Sequence, residues 1–98
     1  MSDHLARQLV LLRQLIREYR EGELSLNLLV QRVEGVGAAI DSESWTDSAF
    51  NILLSMEQIN AVTLDTQGHL MPTDTVEIEK SLVELETLIG RWASGFKK

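Results

Sequence analysis

The side chains best suited to acid–base or metal chemistry are few in this sequence, and they are poorly spaced for it. His4 and His69 are the two histidines. Neither has a helical carboxylate or a second histidine at the spacing of metal ligands. His69 could gather a metal ion with Asp65 and Asp74, but a histidine beside aspartates in a turn is far more often an ordinary surface group. We therefore predict no metal site.

Paired glutamates are the other candidates for chemistry. Glu77 and Glu84 repeat at seven residues, as do Glu79 and Glu86. On a helix the members of each pair are two turns, or about 10 Å, apart, which suits neither a retaining glycosidase pair nor a shared metal. The Glu-x-x-His pattern of di-metal bundles, the P-loop, the dinucleotide-binding glycine turn and Gly-x-Ser-x-Gly are all absent. The sequence predicts that the protein is not an enzyme and needs no cofactor.

Charge is sorted along the chain. Between Glu34 and Gly90 there are eleven carboxylates and one base, Lys80, whereas the segments on both sides are net basic. The formal net charge of the whole chain is −6. Because nucleic-acid binding rests on several Lys or Arg side chains gathered on one face, we expect no nucleic-acid partner. An acidic surface favours a cationic protein partner instead.

Length and composition indicate one domain spanning residues 1–98. A chain of 98 residues with 44% hydrophobic residues can bury a single core. It has no cysteine, which excludes disulfides and thiolate metal sites and fits the cytoplasm. No segment resembles a signal peptide, and no uncharged apolar run approaches about 18 residues. We expect a cytoplasmic protein that neither spans nor binds a membrane.

Apolar residues recur at intervals of three and four throughout, and the chain has one proline, so the sequence predicts an all-α fold. Gly22 should end the first helix, Ser25 should cap the second, and Ser42 or Ser44 should open the third. Thr73 or Asp74 should cap the fourth helix, which should end at Gly95. The predicted helices span Asp3 to about Arg20, the residues after Ser25 to about Ile40, Trp45 to about Leu64, and the residues after the fourth cap.

Two regular apolar stripes lie at opposite ends of the chain. One is in the first helix and the other is in the last. Their matching spacing predicts that these helices are neighbours in a four-helix antiparallel bundle. Asn60 interrupts the corresponding stripe of the third helix, where a polar residue usually fixes register or binds a core water. The stripes are Leu5, Leu9, Leu12, Ile16 and Tyr19, and Ile78, Leu82, Leu85, Ile89, Trp92 and Phe96.

Several apolar residues do not fit the inward stripes. Phe50 and Leu54 lie about 120° and 160° from Met56 around the third helix, and Val76 and Val83 face away from the core side of the fourth. They could contact another protein, be buried by a tilted bundle, or be exposed without a role. Carboxylates lie close to these residues on both helices. We predict a partner-binding surface with Phe50 and Leu54 as apolar anchors and an acidic rim of Asp47, Glu57, Glu77 and Glu84.

Positive charge concentrates on the first helix. Arg13, Arg17 and Arg20 fall on one flank, within about 60° of each other. A place beside the acids of the third or fourth helix is the simpler expectation, in preference to a phosphate-binding patch.

Four segments resemble a known group of proteins: Tyr19 to Leu29, Glu34-Gly35, Trp45, and Met56 to Ala61. Their features are an aromatic residue, a glycine after helix one, a Ser-Leu opening of helix two and a Glu-x-Ile-x-Ala segment in helix three. Together these resemble small bacterial helical proteins that include immunity proteins of polymorphic toxin systems. The resemblance implies an inhibitor that binds a cationic toxin domain and catalyses nothing. The alternative is a structural adaptor or homo-oligomeric bundle whose exposed apolar residues pair with a second copy. The oligomeric state that we expect for the inhibitor is a monomer or weak homodimer.

Overall fold

A computed structural model of the chain describes residues 3–65 and 70–94, apart from the side chain of Asp65. This part of the chain forms four helices and contains no strand, which confirms the predicted all-α class. None of these helices combines the length and apolarity needed to cross a bilayer. The helices are α1 (Asp3–Arg20), α2 (Leu26–Ile40), α3 (Glu43–Asp65) and α4 (Pro72–Ala93).

The link between α1 and α2 follows the predicted turn chemistry. Gly22 has a φ of 80°, the left-handed conformation in which glycine ends helices without a steric cost. The Oγ atom of Ser25 then accepts a hydrogen bond of 3.2 Å from the backbone N–H of Leu28 and so caps α2. These two residues confine the reversal of direction to five residues, which makes α1 and α2 a hairpin.

Gly22 and Gly35 provide opposite tests of this local account. A Cβ atom added at either position would have no heavy atom within 4 Å, so side-chain packing should not contribute to the effect of either substitution on stability. Gly35→Ala, within α2, is expected to raise the free energy of unfolding by up to about 1 kcal/mol through helix propensity. Gly22→Ala is expected to lower it by about 1 kcal/mol, because alanine disfavours positive φ. Urea denaturation of both variants measures the difference, and equal effects would contradict the account.

The starts of α3 and α4 differ from the predicted positions. The Oγ atom of Ser42 accepts the N–H of Trp45 at 3.2 Å, so Ser42 rather than Ser44 opens α3, two residues earlier than expected. The prediction that Thr73 or Asp74 precedes α4 was wrong. Pro72 occupies the first turn, where its missing N–H costs nothing, and the Asp74 carboxylate accepts the N–H of Met71 at 3.3 Å from inside the helix. α4 ends at Ala93, with Ser94 as its C-cap, and Gly95 and Phe96 lie outside the described residues.

Each helix packs against two neighbours, and α1 closes the ring against α4 as predicted. Two side-chain contacts fix the directions of the helices within the α1–α2 and α3–α4 pairs. His4, at the start of α1, is hydrogen-bonded through Nε2 to the carbonyl oxygen of Ala39 near the end of α2, at 2.8 Å. The ring of Trp45 at the start of α3 meets that of Trp92 near the end of α4 edge-on, with centroids 5.5 Å apart. The helices of each pair are therefore antiparallel.

The predicted stripes meet in the core. The buried positions include three of the five residues predicted for α1 and four of the six predicted for α4, while Leu5, Tyr19 and Trp92 pack around its edge. Asn60 donates from Nδ2 to Oδ1 of Asn27 at 2.9 Å, which links α3 to α2 near one end of the bundle. This amide pair favours one register between the two helices. The buried stripe residues are Leu9, Leu12, Ile16, Ile78, Leu82, Leu85 and Ile89.

Candidate partner-binding site

A groove of about 300 Å³ runs between α2 and α3, and we call it the α2–α3 groove. Two of the residues that line it from α2, Gly37 and Ala38, have little or no side chain. Gly37 lies against Trp45: a Cβ atom at Gly37 would come within 3.3 Å of Trp45 Nε1. Gly37 therefore allows α2 to approach the Trp45 side chain closely at this point. Its lining residues are Glu34, Gly37, Ala38, Trp45, Thr46, Ala49, Phe50, Leu53, Leu54 and Glu57.

The two predicted apolar anchors line this groove and remain exposed. Phe50 is 58% exposed and Leu54 is 38% exposed. The possibility that a tilted bundle buries them is thus excluded for the single chain. An exposed phenylalanine beside a groove leaves a large apolar surface in water, and covering that surface with a partner would be favourable.

The charged residues that line the α2–α3 groove are acidic. Glu34 lines it from α2 and Glu57 lines it from α3, and none of the described lining residues is basic. Arg32, the base of α2, lines the groove between α1 and α2 instead. A cationic group entering the α2–α3 groove would therefore meet carboxylates without competition from a nearby lysine or arginine.

The six predicted site residues do not all lie at one groove. On α3, Asp47, Phe50, Leu54 and Glu57 fall within about 80° of one another on the outward side, and three of them line the α2–α3 groove. Glu84 lines a second groove, between α3 and α4, and the basic Arg91 lines the same groove. Glu77 is exposed two turns before Glu84 on the same side of α4. The structure therefore brings Phe50, Leu54 and Glu57 together at the α2–α3 groove, and it places Glu77 and Glu84 on α4 outside that groove.

Two other acids of α4 take part in the fold. The Arg20 guanidinium contacts Glu86 through Nη1 at 2.6 Å and Glu79 through Nη2 at 2.5 Å. Hydrogen bonds to Glu86 and then Glu79 raise the pKa of Arg20 above its ordinary value. The predicted place of Arg20 beside the acids of the fourth helix is therefore observed. Glu79 and Glu86 are correspondingly less available to a partner than Glu77 and Glu84.

Removing these two ion pairs should have a small, salt-dependent effect. The Arg20 side chain is 33% exposed and that of Glu79 is 54% exposed, so water and salt screen the attraction. Arg20→Ala is expected to lower the free energy of unfolding by about 1 kcal/mol at low salt, and by less in molar sodium chloride. Urea denaturation at both salt concentrations measures this. A loss that is independent of salt would indicate packing of the arginine stem instead.

The histidines and the possible metal ligands were the other candidates from the sequence. Residues 3–65 and 70–94 contain no group of three or more His, Asp or Glu side chains that could hold a metal ion. His4 links α1 to α2 through its bond to Ala39. His69 and the side chain of Asp65, which were considered with Asp74 as metal ligands, lie outside the described residues.

Sequence reasoning missed the α2 side of the site. Glu34, Gly37 and Ala38 were not among the predicted site residues, although each lines the groove with Phe50. A signal was present, because a glycine within a helix commonly marks the close approach of another element.

Comparisons with models of known protein families, with curated proteins and with solved structures found no match to this chain.

Proposed function

We propose that this protein is a small acidic binding module that captures a basic partner protein. In its most concrete form, it is an immunity protein that binds and inhibits a cognate cationic bacterial toxin domain. The observation that carries the proposal is Phe50, which is 58% exposed at a groove with two carboxylates. We propose the cytoplasm as its location, in keeping with the absence of cysteine.

The two kinds of residue at the site would act differently on binding. Exposed acids, together with a net charge of −6, would speed the encounter with a cationic protein and make its rate depend on salt. Apolar anchors such as Phe50 and Leu54 would be desolvated in the complex and would slow its dissociation. Neither contribution requires a chemical step, so the proposal includes no catalysis and no cofactor.

A second candidate is a homo-oligomeric bundle, and one observation favours it. On the outside of α1, Val10 is 62% exposed and Leu11 is 43% exposed, next to Ala6. A second copy could cover this small patch. Light scattering at increasing concentration distinguishes the candidates, because the inhibitor should stay monomeric and the oligomer should not.

If the proposal is right, the gene immediately upstream should encode a toxin with a nuclease-like C-terminal domain. The test of the proposed function uses this domain, which we call the neighbouring-gene domain, purified separately. We expect a stoichiometric complex and loss of the toxic activity. Glu77→Lys with Glu84→Lys should slow association and flatten its dependence on salt, as measured by stopped-flow kinetics. A domain that neither binds nor is inhibited would refute the proposal.

A matched control separates the local surface from net charge. Glu21→Lys with Glu23→Lys makes the same change in net charge, in the exposed link between α1 and α2. This double variant should slow association less than the Glu77 and Glu84 variant does. Equal slowing by both variants would show that overall charge, and not the predicted acidic rim, steers the partner.

A further inference from the structure

The α2–α3 groove follows α3 over a long distance. The α3 residues that line it begin at Trp45 and recur in adjacent pairs one turn apart until Glu57. At about 1.5 Å per residue, this stretch is about 18 Å long, or a little over three helical turns. A helix of about twelve residues from another protein could lie along this α3 wall, while the α2 wall, from Glu34 to Ala38, is about one turn long. The lining residues of α3 are Trp45, Thr46, Ala49, Phe50, Leu53, Leu54 and Glu57.

The polarity along the groove suits one kind of helix. Phe50 and Leu54 form an apolar ridge, and small Ala38 lies opposite on α2. Glu57 follows Phe50 by two turns, or about 10 Å, and Glu34 lines the α2 side. An occupant would therefore need an apolar face against the ridge and basic residues at its margins.

The hydrogen bonds that the backbone of the occupant must make indicate its secondary structure. A segment that bound as an added β-strand would need an open strand edge to pair its own N–H and C=O groups. The described part of this chain has no strand, and α2 and α3 bond their interior backbone groups within themselves. A helix brings its own hydrogen bonds and requires only a complementary groove.

From these observations we infer that the α2–α3 groove binds a basic amphipathic helix of the partner protein. The apolar face of that helix packs on Phe50 and Leu54, and its lysine or arginine residues meet Glu34 and Glu57. This inference rests on the proposed function and names the partner element that the site receives.

The test uses a synthetic probe and two matched variants. The probe is a fluorescein-labelled amphipathic peptide of leucine and lysine, about four helical turns long, and a peptide with glutamate in place of lysine is its control. Ala38 lines the α2–α3 groove, whereas Ala39 lines the groove between α1 and α2, and both are exposed. Ala38→Arg and Ala39→Arg therefore change charge and bulk equally but in different grooves. Circular dichroism melts establish that both variants fold.

Fluorescence anisotropy measures how tightly the peptides bind to the wild type and to the two variants. The lysine peptide should bind the wild type and Ala39→Arg alike, and Ala38→Arg about tenfold or more weakly. Equal binding by both variants, no binding to the wild type, or equal binding of the glutamate peptide would each overturn the inference. Self-association of the wild type that Ala38→Arg abolishes would assign the groove to a second copy and overturn it as well.

The neighbouring-gene domain distinguishes failure of this inference from failure of the proposed function. A domain that is bound and inhibited by the wild type and both arginine variants equally would overturn the groove assignment alone. A domain that is not bound at all would refute the proposed function, whatever the peptide does. Loss of inhibition in Ala38→Arg but not in Ala39→Arg would support both.

Discussion

Leu82→Ala is expected to lower the free energy of unfolding by about 2 to 5 kcal/mol. Leu82 is 0% exposed and lies in the core that α4 shares with the other helices. Truncation removes buried methyl groups and leaves a cavity that the surrounding helices fill only in part. In a domain of this size, where total stability is about 5 to 15 kcal/mol, such a loss should be plain in urea denaturation.

Val83 provides the control for Leu82 at the next position of the same helix. It is 50% exposed, so Val83→Ala should change stability by no more than about 0.5 kcal/mol. The contrast tests the orientation of α4 directly. If Val83→Ala were the more destabilising substitution, α4 would be rotated from the observed position.

Phe50→Ala is expected to weaken binding of the partner by about 2 kcal/mol, or roughly thirtyfold, chiefly through faster dissociation. This expectation rests on the proposed function. Because Phe50 is 58% exposed, its truncation should leave the melting temperature almost unchanged. Surface plasmon resonance with the neighbouring-gene domain measures the dissociation rate, and calorimetry measures the melt.

Val62→Ala is the matched control for Phe50→Ala. Val62 is 51% exposed on α3 but lies about 120° from Phe50 around the helix. It should affect neither dissociation nor stability. A Phe50→Ala protein that binds normally would move the binding site to another part of the bundle.

The helices and their inward faces could be predicted from the sequence because both depend on local patterns. The bounds of α1 and α2 agree with prediction, since Gly22 and Ser25 act on their own neighbourhood. The start of α4 was misplaced because Asp74 can cap a helix from before it or from within its first turn, and the residue type alone does not distinguish these positions.

The layout of the candidate site could be predicted only in part. The outward orientation of Phe50 follows from its angle to Met56 within one helix. Which neighbour flanks Phe50 depends on whether the four helices turn left or right around the core. The amphipathic stripes are the same for both arrangements. They therefore do not predict that Phe50 lies toward α2 or that Glu84 lies at the groove between α3 and α4.

The ring of helices also bears on how quickly the chain folds. In the described residues, three of the four helix interfaces join helices that follow each other in sequence, and the seam between α1 and α4 joins the two ends. Bundles with mostly local contacts reach the native state in microseconds to milliseconds, because little chain entropy is lost before each contact forms. The α1–α4 seam closes the longest loop and so carries the largest entropic cost of closure. Arg20, which joins α1 to Glu79 and Glu86, stabilises the contact whose formation depends most on the rest of the chain.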